Sequence, residues 1–264
     1  MIDWTDDQLE RYSRHILLPE VGGLGQEKLL EASVLVVGAG GLGAPLLQYL
    51  AAAGVGRLGV IDGDTVDLSN LQRQVIHRSQ DVGVPKVESA GRMVRDLNPD
   101  ITLDLYQERL TAANAMDMVA QYNVTADGTD NFPTRYLLND ACHFAGKTLV
   151  SGALLRFEGQ LSVFKSHLGE PHPCYRCLFP EAPAPGTVPT CSEAGVFGAV
   201  AGAVGTQQAV EVLKELLGIG ESLSGRFMMY DGLYTAWQSI KLRKNPACPL
   251  CGQQPTIRDL SAHD

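Results

Sequence analysis

The first half of the chain alternates short apolar runs with longer amphipathic segments. Each apolar run is rich in aliphatic and β-branched residues, and the segment after it has the apolar spacing of a helix. Strands are predicted in this way at 33–37, in RLGVIDGD from residue 57, in ITLDLY from 101 and in NVTADG from 123. Strands that alternate with helices of this length are typical of a parallel sheet with right-handed crossovers.

Turn and capping residues mark the ends of the predicted helices. Thr5 and Gln8 have the spacing of a capping box at the start of the first helix. Glycine ends the helix LGAPLLQYLAAAGVG, in which Pro45 is tolerable because it lies in the first turn. Further helices are predicted over PKVESAGRMVRDLNP, TAANAMDMVAQY and NFPTRYLLNDACHFAG.

The pattern changes after Lys147. Two strand-like runs, separated by 156–159, lie in KTLVSGALLRFEGQLSVFK. The next segment has six prolines between Pro171 and Pro189, which exclude a helix or a central strand. One long helix is then predicted over SEAGVFGAVAGAVGTQQAVEVLKELLG, and late strands over GRFMMYDG and YTAWQSIKLR. Since no linker separates the two halves, we predict a single body.

Composition excludes several classes of protein. The length of 264 residues and the hydrophobic content of 45% suit one large α/β domain. A formal net charge of -9 disfavours nonspecific binding to nucleic acid or to an anionic membrane. The acidic, mixed N-terminus differs from a signal peptide, and no apolar run approaches the roughly eighteen residues of a membrane helix. We therefore predict a cytoplasmic protein without a membrane or nucleic-acid partner.

Three glycines follow the first predicted strand with the spacing Gly38-x-Gly40-x-x-Gly43. Such glycines permit a tight turn, a close approach of backbone to phosphate and close packing of helix on strand. The N-terminus of the next helix also offers free amide N–H groups to an anion. Asp62 ends the second strand, where a carboxylate accepts hydrogen bonds from ribose hydroxyls. Up to this point the pattern fits NAD and ATP equally.

Polar residues that follow Asp62 in the chain favour ATP. Asn70, Arg73 and Lys86 would each be a solvated surface residue if taken alone. Together they indicate a clamp for a triphosphate, which carries more charge than a dinucleotide bridge. Asp127 and Asp130 lie at the end of a later strand, where a carboxylate is a natural Mg²⁺ ligand beside phosphates. Asp130 is also placed to cap the helix that follows.

The cysteines suggest a second site. Two C-x-x-C pairs, CYRC and CPLC, offer the thiols of Cys174, Cys177, Cys248 and Cys251. Four thiolates can form a closed structural Zn²⁺ site, although the spacing alone also allows two disulfides or redox pairs. Cys191 stands at a predicted helix start, where the pKa of a thiol is lowered, or it is a small residue beside a cap at Thr190 or Ser192. Cys142 is predicted to be packed inside a helix, and the six histidines show no ligand spacing.

Ten segments resemble, in order, the motifs of the ThiF/MoeB/HesA family, the bacterial relatives of ubiquitin-activating enzymes. They are RYSRHILLPEVGGLGQEKL, GAGGLG, IDGDTVDLSNLQRQ, GVPKVES, GTDN, GALLRFEGQLSVF, CYRC, TCSEAG, MYDG and NPACPLCG. The resemblance covers about residues 8 to 252. Within the family, the chain is similar to the molybdopterin and thiamine branches. The resemblance implies a Rossmann-like α/β domain over 1–264, in which a mostly parallel sheet has helices on both faces and is extended by antiparallel strands. The nucleotide-binding half would be 1–150, and the carrier-binding half with a zinc site would be 151–264.

The resemblance implies an adenylyltransferase. Such an enzyme uses ATP and Mg²⁺ to adenylate the C-terminal glycine of a ubiquitin-like sulfur carrier that ends in Gly-Gly, and it releases pyrophosphate. Asp62 would hold the ribose, Gly41 and the glycine turn would approach the phosphates, and Asp130 would hold the metal. Asn70, Arg73 and Lys86 would grip the phosphates. Arg14 would reach the phosphates of the neighbouring subunit, so that a homodimer forms the active site.

The same resemblance implies zinc at the four cysteines and a role for Cys191 beside the carrier. In thiamine-type relatives the matching cysteine bonds covalently to the carrier, whereas in molybdopterin-type relatives it is dispensable; we expect a thiol near the partner that is not essential. Without an appended sulfurtransferase domain, sulfur is expected from a separate protein.

Three alternatives remain at this stage. The first is an NAD-dependent oxidoreductase, which the glycine turn and Asp62 support but which has no need of the residues from Asn70 to Asp130. The second is an adenylating enzyme that acts on a tRNA base, against which the net charge of -9 argues. The third is a non-catalytic scaffold for a ubiquitin-like protein.

Overall fold

The computed structural model describes residues 4–184, 186–189 and 191–263, without the side chains of Cys191 and Ser192. Within these residues eight strands form one sheet. They are β1 (Ser33–Val37), β2 (Arg57–Ile61), β3 (Thr102–Tyr106), β4 (Val124–Asp127), β5 (Thr148–Leu155), β6 (Glu158–Phe164), β7 (Arg226–Asp231) and β8 (Ala236–Lys241). The helices are α1 (Asp6–Ile16), α2 (Gly22–Glu31), α3 (Gly43–Ala53), α4 (Lys86–Leu97), α5 (Ala112–Ala120), α6 (Phe132–Phe144), α7 (Tyr175–Leu178), α8 (Cys191–Ala194) and α9 (Gly198–Leu217).

The sheet order is β3-β2-β1-β4-β5-β6-β7-β8. The pairs from β3 to β5 are parallel, and those from β5 to β8 are antiparallel. This arrangement confirms the predicted mostly parallel sheet with antiparallel strands added at one side. The order reverses between β1 and β4, and a crevice for a ligand forms at such a switch point.

Helices cover both faces of the sheet, as predicted. Residues of β1 alternate between two buried clusters, with Val34 and Val36 in one and Leu35 and Val37 in the other. The first cluster also contains residues of α3, α4 and α9, and the second contains residues of α5 and α6. A central strand that is apolar at every position is therefore buried on both sides, as parallel strands usually are.

Several local signals have the predicted effect. The side chain of Thr5 accepts from the backbone of Gln8, and the Gln8 side chain accepts from the backbone of Thr5, so the capping box forms. Gly54 ends α3 with a φ of 80°. The runs on either side of 156–159 form the hairpin of β5 and β6, although β6 already begins at Glu158.

One predicted helix is wrong in extent. The segment after Cys191 forms the short α8 and the long α9, and the two are separated at 195–197. Gly195 has a φ of 81°, a left-handed conformation that ends a helix. Among the described residues no helix combines the length and the apolar character needed to cross a membrane.

Candidate functional site

A cavity of about 200 Å³ opens at the switch point of the sheet. It lies at the carboxyl ends of β1, β2 and β4, where Val37, Ile61 and Asp127 are in register. Residues that follow these strands and β3 line it, among them Gly38, Gly40, Gly41, Asp62, Asp64, Arg73, Gln74, Lys86, Glu108, Arg109, Thr129, Asp130 and Asn131. Predicted residues that are far apart in the chain therefore meet in one crevice.

The glycine loop requires glycine for steric reasons. Gly38 has a φ of 94°, and a Cβ there would lie 2.9 Å from the carbonyl oxygen of Gly128. A Cβ at Gly43, which is behind the cavity, would overlap the Gly38 carbonyl oxygen. Within the described residues, the amide N–H groups of Gly40, Gly41 and Leu42 have no hydrogen-bond acceptor. These groups are available to an anion at the helix N-terminus.

Asp62 is part of the loop structure as well as of the cavity lining. Its Oδ2 accepts from the amide of Ala39 at 2.9 Å, and its Oδ1 accepts from the amide of Asp64 at 2.9 Å. The carboxylate therefore joins the end of β2 to the glycine loop after β1. Each carboxylate oxygen can accept a second hydrogen bond, which leaves Asp62 able to bind ribose hydroxyls.

Three cationic side chains, from different parts of the chain, line the cavity. Lys86 is the first residue of α4 and is 7% exposed, and its Nζ lies 3.2 Å from Oδ2 of Asp64. Arg109, from the loop after β3, places Nη2 at 3.1 Å from Oδ1 of the same carboxylate. The Nη1 atom of Arg73 donates to the carbonyl of Ser69 at 3.1 Å. Asp64 thus holds two cations at the cavity wall.

Asp127 and Asp130 have different surroundings. Asp127 is fully buried and accepts from Thr129 Oγ1 at 2.6 Å and from Ser151 Oγ at 2.9 Å. The carboxylate of Asp130 lies at the exposed cavity wall and has no hydrogen bond or ion pair within the described chain. The cap of α6 is Asn131, whose Oδ1 accepts from the amide of Thr134 at 2.9 Å, so the alternative of a cap at Asp130 is wrong.

Two residues of the predicted set lie outside the cavity of this chain. The Oδ1 of Asn70 accepts from the amide of Asp67 at 3.1 Å, and the side chain is absent from the cavity lining. Arg14 is exposed on α1, and no residue of α1 lines the cavity. Its guanidinium makes no ion pair with the described residues.

Sequence reasoning missed several residues of the crevice. Asp64, Arg109 and Thr129 line it, and so does Gln74. A position just after a strand end was the available signal for Arg109 and Thr129, since such loops meet at the carboxyl edge of a parallel sheet. The sequence gives no comparable signal for Gln74.

The four cysteines form a compact cluster. Their sulfur atoms lie within 4.8 Å of one another, and the separations include 3.4 Å between Cys177 and Cys251 and 3.9 Å between Cys174 and Cys177. A tetrahedral Zn²⁺ ion with bonds of about 2.3 Å needs sulfur separations of about 3.8 Å. The thiols fit such an ion, and each of these four is free of a disulfide.

This cluster joins two distant parts of the chain. Cys174 directly precedes α7 and Cys177 lies within it, whereas Cys248 and Cys251 belong to the C-terminal segment. Arg176 between the first two donates to both carboxylate oxygens of the buried Asp140 on α6, at 2.8 and 3.1 Å. The side chain of Cys191, a further predicted site residue, lies outside the described residues.

Comparisons with known proteins agree with this architecture. Residues 12–250 match the model of the ThiF family. The chain is 52% identical over 259 residues to a sulfur carrier protein adenylyltransferase of Thermus thermophilus, covering 97% of this chain and 96% of that protein. It is 54% identical over 246 residues to the SAMP-activating enzyme E1 of Haloferax volcanii, covering 93% and 90%.

Other relatives are longer or more distant. The adenylyltransferase and sulfurtransferase MOCS3 of Bos taurus is 51% identical over 259 residues, which cover 98% of this chain but 56% of that protein. The solved structure of E. coli MccB with ATP has a TM-score of 0.79 at 22% identity and covers 91% of this chain and 74% of its own, a likeness of fold. By its sequence and by the extent of the match, the chain belongs to the ThiF family.

Proposed function

We propose that this protein is an adenylyltransferase that activates a ubiquitin-like sulfur carrier. In this reaction a carboxylate oxygen of the carrier's terminal glycine attacks the α-phosphorus of ATP. The bond from that phosphorus to the bridging oxygen breaks, and pyrophosphate takes the electron pair. The names of the two relatives that match this chain over nearly their whole length support a carrier protein as substrate.

The cavity at the switch point carries this proposal. It combines the unpaired amides of the glycine loop, the acid at the end of β2 and the cations Arg73, Lys86 and Arg109. A carboxylate is a poor nucleophile toward an anionic phosphate until the negative charge is neutralised. Fixed donors and cations in a crevice provide that neutralisation and stabilise the leaving pyrophosphate. Catalysis then rests on positioning and electrostatics, without a dedicated general base.

The charges of the cavity support a requirement for Mg²⁺. Four carboxylates, of Asp62, Asp64, Glu108 and Asp130, face three cations, an excess of one negative charge before the nucleotide enters. Oxygen ligands beside phosphates suit Mg²⁺, and Asp130 has an exposed carboxylate without a partner in the described chain. Asp130 would hold the ion, which supplies charge neutralisation when bound.

The second half of the chain has features of a carrier-binding surface. β8 is the edge strand of the sheet. Trp237 and Ile240 on β8 are 41% and 50% exposed, and Tyr234 in the hairpin is 81% exposed. Trp237 and Ile240 are three residues apart and point to opposite faces, so this edge exposes apolar side chains on both sides, which suits a protein interface. The zinc proposed for the cysteine cluster would have no open position, so its role would be structural.

A homodimer is part of the proposal. Arg14 is exposed and lies on a helix that does not line its own cavity, which fits a role in the partner subunit's site. Exposed leucines follow it, with Leu17 at 70% and Leu24 at 76% of their full accessibility. A second copy of the chain would cover them.

The substitution Asp130→Ala tests the function. We expect it to abolish carrier-dependent exchange of pyrophosphate into ATP. The variant would lose the proposed Mg²⁺ ligand, and without the ion the charge of the nucleotide would no longer be neutralised. The substrates are ATP, Mg²⁺ and each Gly-Gly-ended carrier of the same genome, with the acyl-adenylate detected by mass spectrometry. Circular dichroism checks that the variant is folded.

Asp117→Ala is the matched control, since Asp117 is an exposed aspartate of α5 away from the cavity. It should exchange at the wild-type rate. Near-normal exchange by Asp130→Ala would remove Asp130 from the site. A thermal shift of the wild-type protein by NAD but not by ATP with Mg²⁺ would overturn the function itself.

A further inference from the structure

A buried histidine lies directly behind the glycine loop. His77 is 6% exposed and is not part of the cavity lining. Its Nε2 lies 3.0 Å from the carbonyl oxygen of Ala39, and its Nδ1 lies 2.8 Å from Oγ of Ser89. The ring therefore connects the loop after β1 to helix α4, which begins with Lys86.

The contact chain continues to a charged pair. Ser89 Oγ donates to Oδ2 of Asp81 at 2.7 Å, and Nη2 of Arg92 donates to Oδ1 of Asp81 at 2.6 Å. Burial alone would raise the pKa of Asp81, but the hydrogen bonds from Ser89 and Arg92 outweigh it and lower that pKa. Asp81 is thus a carboxylate that fixes Ser89, whose Oγ in turn lies against Nδ1 of the imidazole.

The carbonyl oxygen of Ala39 determines where the imidazole proton lies. A carbonyl can only accept, so the 3.0 Å contact is a hydrogen bond when Nε2 carries the proton. Burial lowers the pKa of His77, and so does Lys86, whereas the Ala39 carbonyl, Asp62 and Asp81 act in the opposite direction. The Nε2–H tautomer makes this bond without a charge on the ring. Ser89 has one hydroxyl proton, which goes to Asp81, so the 2.8 Å contact at Nδ1 is a hydrogen bond only when Nδ1 is protonated as well.

Ala39 is consequently held on both sides. Asp62 accepts from its N–H at 2.9 Å, and His77 donates to its C=O. In a planar trans peptide the C=O of one residue and the N–H of the next point in opposite directions. Because His77 holds the Ala39 carbonyl on the buried side, the N–H of Gly40 points away from that side, and Gly40 lines the cavity. That N–H has no acceptor in the described chain.

We propose that His77 is a positioning residue for the phosphates: by holding the Ala39 carbonyl it directs the Gly40 amide into the site and fixes the loop relative to Lys86. This inference rests on the proposed use of ATP. It assigns to the His77, Ser89 and Asp81 network an effect on phosphate binding that is distinct from any effect on the ribose. The ring itself does not touch the nucleotide.

Two substitutions separate the two ring nitrogens. His77→Gln keeps an N–H donor near the position of Nε2, whereas His77→Asn keeps a polar group only near Nδ1. His77→Leu removes both. We expect the dissociation constant for ATP with Mg²⁺, measured by calorimetry, to rise about tenfold in the Leu and Asn variants, the effect of about one hydrogen bond. The Gln variant should bind within about twofold of wild type.

Adenosine is the second ligand, because it has the ribose that Asp62 would hold but carries no phosphate. Its dissociation constant should change by less than about twofold in every His77 variant. In pyrophosphate exchange, the KM for ATP should rise while the KM for the carrier stays constant. His143→Gln is the matched control, since Nδ1 of His143 contacts Ser166 Oγ at 2.9 Å in a partly buried pair away from the cavity. It should bind both ligands normally.

Several results would overturn the inference. An equal loss of ATP and adenosine affinity, or equal behaviour of the Gln and Asn variants, would reduce His77 to a structural residue. Unchanged ATP affinity in His77→Leu would have the same consequence. If the Leu variant does not fold, the Gln and Asn pair decides alone. Wild-type protein that binds no ATP would refute the proposed function as well, whereas the preceding outcomes leave that function intact.

Discussion

Asp127 and Asp130 are three residues apart in the chain and have opposite environments. Asp127 is fully buried and its oxygens are used by Thr129, Ser151 and Arg135. It fixes the loop that carries Asp130, whose own carboxylate faces the cavity. A group that is already saturated with internal partners supports a site, and a group without partners is free to bind. The hydrogen bonds of each side chain therefore decide which of the two aspartates is available to a ligand.

The buried thiol of Cys142 permits a prediction about pH. Burial raises its pKa to about 12, so at pH 8 only about one molecule in 10⁴ carries the thiolate. We expect iodoacetamide to leave Cys142 unmodified in the native protein and to label it in guanidinium, as read by peptide mass spectrometry. Rapid labelling under native conditions would contradict its burial.

The raised pKa of Cys142 also means that this thiol stabilises the protein less as the pH rises. The native pKa of Cys142 lies above that of the unfolded thiol, so the unfolded state releases its proton first as the pH rises. The contribution of this thiol to stability is fully present below about pH 8 and is lost progressively above that value.

Helices α3 and α9 approach each other closely because of a glycine. A Cβ at Gly205 in α9 would lie 2.5 Å from the carbonyl oxygen of Leu42 and 2.6 Å from Cγ of Pro45. The same helix contains Gly202, around which a Cβ would have no neighbour within 4 Å. Gly202 is therefore a control for Gly205 within the same helix.

Gly205→Ala and Gly202→Ala should consequently have opposite effects. Gly205→Ala forces α9 away from the start of α3, and we expect a loss of about 2–4 kcal/mol in the free energy of unfolding. Gly202→Ala should add about 0.5–1 kcal/mol, since alanine favours the helix. Urea denaturation of both variants measures these changes. Equal effects would mean that the contact between α3 and α9 leaves room for a methyl group at Gly205.

The elements that the sequence predicted correctly are those whose signals are local. The capping box at Thr5 and the glycine that ends α3 act through neighbouring residues, and both form as predicted. The break between α8 and α9 was missed because apolar and small residues continue across 195–197 without proline. The left-handed conformation of Gly195 ends the first helix there, and the backbone of Gly195 and Phe197 is hydrogen-bonded to Arg156 instead.

The candidate site was predictable where residue type and strand ends coincide. Asp62 and the glycine turn follow strands that the apolar pattern marks clearly, and Lys86 starts a helix after a proline. Asn70 shows the opposite case, since it forms a capping box with Asp67 that local spacing also allows. His77 could not be found from spacing, because its partners Ala39 and Ser89 meet it only in the folded chain.

The whole molecule, in the dimer that we propose, would have two composite sites. Each would combine the cavity of one subunit with Arg14 of the other. A residue of the cavity and a residue of α1 would then belong to different sites in the same subunit, although one chain encodes both. This separation makes the two roles testable by mixing variants.

Equal amounts of the Arg14→Ala and Asp130→Ala proteins should be inactive alone and active when their subunits exchange. Half of the dimers are then mixed, and each mixed dimer has one complete site, so we expect about a quarter of the wild-type rate of pyrophosphate exchange. Mass spectrometry of the intact dimers follows the exchange. No recovery in a fully exchanged mixture would place Arg14 and Asp130 in one site or remove the dimer from catalysis.

The two hydrogen bonds that Asp62 accepts from Ala39 and Asp64 complicate mutagenesis at this position. An alanine scan that includes Asp62 would release the glycine loop together with the sugar, and the measured loss would exceed the energy of the sugar contact. Deoxy-ATP analogues offered to the unaltered protein avoid this error, since they delete the hydroxyl groups and leave every protein atom in position.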